Sequence, residues 1–240
     1  MSTEHFYVNP AQVGETTLVI GGTEHKHLLR VLRKQVGDRI VVTDGRGKSY
    51  NVVIRSIDSE IAECEIIDAR EMFNEPKVEV GIGASLLRNP SRFNFMVEKV
   101  TELGVRRVIP LLCERTVPHH ARVSRYEKIA LSAAKQACRS VLPDIFVLTN
   151  FNALLESLSG YDLKLIPHEK TEQSQFIGTV LHHHHAAKSI FILIGPEGGF
   201  ADAEIAQATA HGFVPVSLGP RRLRAETAAI ASVSLVLRGR

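Results

Sequence analysis

From Lys77 onward, apolar runs of strand length alternate with helix-length amphipathic or alanine-rich segments, and few folds accept that alternation. Strands are expected at "KVEVGIGAS", "VRRVIPLLC", "DIFVL" (Asp144–Leu148), "DLKLIP" (Asp162–Pro167), "SIFILIG" (Ser189–Gly195) and "FVPVSLG" (Phe213–Gly219). A helix is expected over Ser91–Leu103, where apolar residues at 93, 96, 97, 100 and 103 share one face and Gly104 stands at the C-terminal cap. Further helices are expected near Arg125–Arg139, Asp202–Ala210 and Ala225–Leu237. Repeated βα units imply an α/β domain with a mostly parallel sheet covered on both faces.

The first seventy residues have a different texture. "DRIVVTD", "KSYNVVIRS" and "EIAECEII" are rich in β-branched residues, and Gly45-Arg46-Gly47 supplies a hairpin turn between the first two. With a short helix over His25–Arg33, this predicts a small β-barrel-like module over 1–70. "REMFNEP" then gives a linker at 71–76, ahead of the larger domain at 77–240.

Composition narrows the class. Among 240 residues, 44% hydrophobic and 23% charged is the balance of an ordinary globular protein. No apolar stretch approaches the length of a membrane helix, and the polar start Met1–His5 is not a secretory signal. Cys64, Cys113 and Cys138 fit neither a disulfide framework nor a metal site, which points to a reducing cytoplasm. No metal is expected, and the run His182–His185 reads as an exposed loop. The net charge of +3 is concentrated between Glu24 and Lys48, where seven Lys/Arg face three acids. Such a patch is the electrostatic footprint of a phosphate backbone.

In parallel α/β sheets, ligands bind beyond the carboxyl ends of strands. Three loops lie there: Pro167–Lys170, Gly195–Phe200 and Gly219–Arg222. The middle one, "GPEGGF", is neither a Walker loop nor a dinucleotide fingerprint: it has no lysine and the wrong glycine spacing. After the last loop, Arg221, Arg222 and Arg224 crowd a helix start where the dipole disfavours cations, which implies an anion or electron-rich group nearby.

These loops carry a resemblance. "LIGPEGGF" with a downstream glutamate, followed by "LGPRRLRAETA", is similar to the signature of the RsmE family in the SPOUT superfamily. The likeness runs along the chain, through "HLLRVLRKQVGDRI" with its "DGRG", "VEKVTELGVRRVIPLLCERT" and "AAKQACRSVLPDI". It implies a C-terminal SPOUT-type trefoil-knotted domain, a PUA-like N-terminal β-barrel domain and a homodimer. The implied activity is S-adenosyl-L-methionine-dependent methylation of uridine N3 in 16S ribosomal RNA of the small subunit.

The resemblance also assigns residues. Leu165, Ile166 and Pro167 would hold the cofactor with Ile194, Gly195, Glu197, Gly198 and Gly199. Leu218, Gly219, Pro220, Leu223 and Arg224 would close the pocket. Methylating N3 requires loss of an imide proton, so Arg224, then Arg222, would stabilise the developing charge. Glu197 or Glu226 would accept the proton, an alternative the sequence leaves open. RNA phosphates would fall to His25, Lys26, His27, Arg30, Arg33, Lys34, Arg88, Arg92 and Arg222. A ribose 2′-hydroxyl target is the rival, but the families that act there carry Ser-Leu-Asn where this chain has Arg222-Leu223-Arg224.

Three positions depart from the family pattern. Lys135 stands where the family has glutamate, Arg92 where it often has lysine, and Ala201 where a serine would cap the next helix. Losing that cap is expected to cost about 1 kcal/mol.

Overall fold

Five strands and a short helix form the first part of a computed structural model that describes residues 5–172 and 175–238; all of the polar start but His5 lies outside the described residues. In chain order these are β1 (His5–Tyr7), β2 (Thr17–Gly21), α1 (Gly22–Lys26), β3 (Arg39–Thr43), β4 (Lys48–Ile57) and β5 (Ile61–Glu71). The sheet runs β1-β3-β4-β5-β2, antiparallel except where β1 pairs with β3, and stays open with β1 and β2 as its edges. Register shifts at Asn51/Val52 and Ile54/Ser56 bend β4 against β5, as bulges do. Phe6, Leu18, Ile20, Leu28, Val42 and Ile54 are fully buried in its core.

The remaining elements are β6 (Glu79–Ser85), α2 (Pro90–Leu103), β7 (Arg107–Leu112), α3 (Val123–Gln136), β8 (Asp144–Ile145) and β9 (Thr149–Asn150). They continue with α4 (Phe151–Ser157), β10 (Leu163–Pro167), α5 (Ile177–His183), β11 (Ser189–Ile194), α6 (Asp202–Ala210), β12 (Phe213–Val216) and α7 (Ala225–Leu237). Their sheet has the order β12-β10-β11-β6-β7-β8, with β9 also on β7, and every pairing is parallel. The alternation of strand side chains sends β11 into both faces. Ile190 and Ile192 join Phe93, Met96 and Val97 of α2 and Val233 of α7. Phe191 and Leu193 instead join Leu154 and Leu155 of α4 and Phe213.

Several expected boundaries shift for local reasons. The first helix starts at Gly22 rather than His25, passes through a π-helical turn over His27–Val31, and is followed by Arg33 at a φ of 52°. "DIFVL" is interrupted: β7 pairs with β8 and then with β9, leaving Phe146–Leu148 between them. Asn89 caps α2 by accepting from the Ser91 amide, and Gly104 closes that helix at a φ of 112°. His182 and His183 are exposed as expected but form the last turn of α5.

The chain divides into two compact units, and the division is not linear in sequence. The first runs to Glu75 and also takes in Leu131–Leu142; the second holds Pro76–Ala130 and everything from Pro143. Within the first unit Glu75 is 3% exposed and meets Arg139, 2% exposed, with Oε2 to Nη2 at 2.7 Å. Its Oε1 accepts from the amides of Ser140 and Val141, both at 2.9 Å. A carboxylate buried this deeply needs such partners, because desolvation otherwise disfavours its charge. Lys135 likewise has its own counterion: Nζ lies 2.7 Å and 2.9 Å from the two oxygens of Glu24. The departure at 135 is thus neutralised within the unit.

Replacing Glu75 with glutamine removes the carboxylate from this buried pair while the Arg139 charge stays. We expect Glu75→Gln to lower stability by about 3–5 kcal/mol in urea unfolding, whereas a loss under about 1 kcal/mol would mean that other groups satisfy Arg139.

Candidate active site

Strands β6, β7, β10, β11 and β12 all run the same way, so the loops leaving them gather along one edge of the sheet. A cavity of about 620 Å³ opens there, within the range of small-molecule sites. Pro167 comes from the β10 loop, Ile194, Gly195, Glu197, Gly198 and Gly199 from the β11 loop. Leu218, Gly219, Leu223 and Arg224 come from the loop after β12, so most of the expected cofactor residues line one space. Leu165 and Ile166 do not line it. Both are fully buried in the core beneath. Pro220 is exposed and also lies off the cavity lining.

Two glycines give these loops their shape. Gly199 has a φ of 69° and Gly219 a φ of 105°, left-handed conformations that strain any residue with a Cβ. The Gly199 amide closes a turn onto the Pro196 carbonyl at 2.9 Å. Apolar wall is supplied by Ile194, Leu218, Leu223 and Phe200.

The electrostatic centre is Arg92, on α2. Its Nε and Nη2 donate to the two oxygens of Glu226 at 3.0 Å and 2.6 Å, a forked pair. Its Nη1 reaches Glu197 Oε1 at 3.3 Å, and the same oxygen accepts from the Arg88 amide at 3.0 Å. One guanidinium therefore ties α2 to the glycine loop and to the first turn of α7. Burial pushes the Glu226 carboxyl pKa up. Hydrogen bonds from Arg92 and from its own backbone, with the charges of Arg92 and Arg224, outweigh that and leave it below the usual carboxylate range. Glu226 is thus ionised at neutral pH and committed to Arg92.

Two residues expected at RNA phosphates are corrected. Arg92 is engaged by both carboxylates and lines the cavity, so it is not a free surface cation awaiting a phosphate. His25 is 3% exposed, too deep in the first unit to reach a backbone phosphate. Lys26, Arg30 and Arg33 are exposed, and His27 and Lys34 half-buried. Arg88 is exposed, and Arg222 sits on the cavity rim with Nε 3.3 Å from Glu169 Oε2.

Sequence reading missed the turn after β7. Arg115 lines the cavity and donates from Nη1 to the Gly198 carbonyl at 2.9 Å. Nothing in "CERT" marks that arginine except its place just beyond a parallel strand. Cys113, in the same turn, is no candidate nucleophile, since burial and the nearby Glu204 charge push its thiol up to about 12. His168 also lines the cavity, and burial with the Lys170 charge lowers its pKa, which keeps the imidazole neutral at physiological pH. Ala201 offers no side-chain acceptor to α6, but half of the cap survives because Glu204 Oε2 accepts from the Ala201 amide at 2.9 Å.

Comparison with known proteins agrees with this arrangement. An RNA methyltransferase domain model matches residues 74–237, and an RNA methyltransferase PUA domain model matches 20–67. The ribosomal RNA small subunit methyltransferase E of Synechocystis sp. is 32% identical over 235 residues, which covers 96% of this chain and 77% of that protein. The Bacillus subtilis protein of the same name is 28% identical, covering 92% and 89%. A crystal structure of ribosomal RNA small subunit methyltransferase E from Neisseria gonorrhoeae, bound to S-adenosyl methionine, superposes with a TM-score of 0.86 at 28% identity, over 97% of this chain and 95% of that one. With a parallel sheet whose loops converge on one cavity, and a family model spanning most of its length, this chain belongs to the ribosomal RNA small subunit methyltransferase E family.

Proposed function

We propose that the chain methylates N3 of a uridine in 16S ribosomal RNA, using S-adenosylmethionine. The observation that carries this is the cavity itself: two glycine loops with bare amides, an apolar wall, and a carboxylate beside an arginine. The cofactor fits this chemistry. Gly195, Gly198, Gly199 and Gly219 expose backbone to its polar ends, and Ile194, Leu218 and Leu223 give apolar contact for its adenine. Bound there, it supplies an electrophilic methyl group on a sulfonium.

The chain's own residues then divide the work. Glu197 accepts the imide proton, because its Oε1 is held by Arg88 and Arg92 while Oε2 has no hydrogen bond among the described residues. Glu226, spent on Arg92, is the poorer base; it holds the guanidinium in place. As the N3–H bond breaks, its electron pair stays on nitrogen and the charge spreads to the flanking carbonyl oxygens. Arg224 stands at the N-terminus of α7 on the cavity wall and stabilises that charge without titrating. The cofactor would supply the methyl group that N3 takes up, and Glu197 would hold the proton that N3 gives up. N3 is engaged in pairing within a duplex, so the target uridine is unpaired or flipped.

The exposed Lys26, Arg30 and Arg33, with His27 and Lys34, would hold RNA phosphates from the 1–70 module, 71–76 would join it to the methyltransferase domain at 77–240, and Arg88 and, on the cavity rim, Arg222 would contribute from that domain. A trefoil knot, a homodimer and a cytoplasmic site of action belong to the same proposal, carried by the family resemblance. Exposed Phe95 and Val117 offer apolar surface for a second copy. Among the described residues no helix is long and apolar enough to cross a membrane.

Two outcomes test this. Arg224→Ala should cut turnover by at least ~100-fold, the size of losing one charge-stabilising donor, while S-adenosylmethionine affinity by calorimetry changes little; unchanged turnover would remove Arg224 from the mechanism. Mass spectrometry of ribosomal RNA nucleosides from a deletion strain should show 3-methyluridine missing from the small-subunit RNA. Its persistence at full level would refute the substrate.

A further inference from the structure

The turn after β7 grips the glycine loop at two points that the catalytic roles above leave unused. Arg115 Nη1 donates to the Gly198 carbonyl at 2.9 Å. Glu204, 6% exposed, accepts at both oxygens: Oε1 from the Glu114 amide at 2.8 Å and Oε2 from the Ala201 amide at 2.9 Å. One buried carboxylate thus joins loops that leave β7 and β11, strands separated in the sheet by β6. The turn is itself anchored. The Cys113 amide donates to Thr116 Oγ1 at 2.8 Å, and that hydroxyl meets Ser85 Oγ, at the end of β6, at 2.7 Å.

A glycine pair loses more backbone freedom on ordering than any other dipeptide, so a binding wall made of it needs outside contacts to stay in one shape. The peptide between Gly198 and Gly199 is planar, so fixing the Gly198 carbonyl also directs the Gly199 N–H, which closes the turn onto Pro196 at 2.9 Å. The Arg115 side chain also lies against the loop: a Cβ at Gly198 would meet its Cδ at 3.4 Å, an ordinary van der Waals contact.

We propose that Arg115 and Glu204 are positioning residues that clasp the glycine loop in its binding shape before the cofactor arrives. The inference rests on reading that loop as the cofactor wall. Without the clasp the loop samples other conformations, and binding must then select the competent fraction.

Hydrogen exchange in cofactor-free protein, followed by calorimetric titration with S-adenosylmethionine, tests this on wild type, Arg115→Ala, Arg115→Lys and Glu204→Gln. Exchange across Gly198–Ala201 should quicken in Arg115→Ala and Glu204→Gln while core strand amides keep wild-type rates. The dissociation constant should rise roughly tenfold in Arg115→Ala, as for one charge-assisted hydrogen bond. Arg115→Lys retains a donor and should fall between. Arg115 is exposed, so its variants carry the test should Glu204→Gln fail to fold. Unchanged loop exchange overturns the clasp. So does weakened binding with unchanged exchange, which would make Arg115 a direct contact. A wild-type protein that binds no S-adenosylmethionine refutes the cofactor reading, and the exchange rates still decide the clasp.

Discussion

One guanidinium shared by two carboxylates organises the cavity at the sheet edge. Arg92 rises from α2, forks onto Glu226 at the start of α7 and reaches Glu197 in the glycine loop. At about three-quarters buried, this cluster is held where water screens it poorly, so each contact counts for more than a surface ion pair would. The pairing also sets two like groups apart: both oxygens of Glu226 are bound to Arg92, while Glu197 keeps one oxygen without a hydrogen bond among the described residues. Environment thus distinguishes two chemically identical side chains.

The same logic recurs away from the cavity. Glu75 with Arg139 and Glu24 with Lys135 neutralise charges inside the first unit. Glu204 satisfies two backbone amides from different loops with one carboxylate. In each case a charge with little exposure meets a partner at least 64 residues away in sequence, where losing the contact costs more than at the surface.

That distance explains what could be read from residues alone. The parallel sheet was legible because strand and helix periodicities are local, and so was Gly104 as a helix cap. The loops beyond β10, β11 and β12 were legible because strand ends in such sheets are where ligands go. Arg92 was not, since its partner lies 134 residues away and an arginine on a helix reads equally well as a phosphate contact. Arg115 and the bond from Glu204 to the β7 turn were hidden for the same reason, spanning 83 and 90 residues. His25 misled in the opposite direction, as a polar residue in a basic run that packs inward. The segment Leu131–Leu142 joins the first unit, where Arg139 meets Glu75, and no boundary drawn along the chain anticipates that.

The claim that Arg92 holds Glu226 ionised is tested most directly by the pH dependence of stability in wild type and Arg92→Met. The folded state depresses the Glu226 pKa, so its ionised form contributes stability fully above the unfolded value of about 4.3 and loses it as pH falls through the folded value. Removing Arg92 should therefore destabilise the protein most near neutral pH. The gap to wild type should shrink on acidification below about pH 4, as the carboxylate protonates. A gap of the same size from pH 7 to pH 3 would mean that Arg92 contributes only packing, and the electrostatic account of the cavity would be wrong.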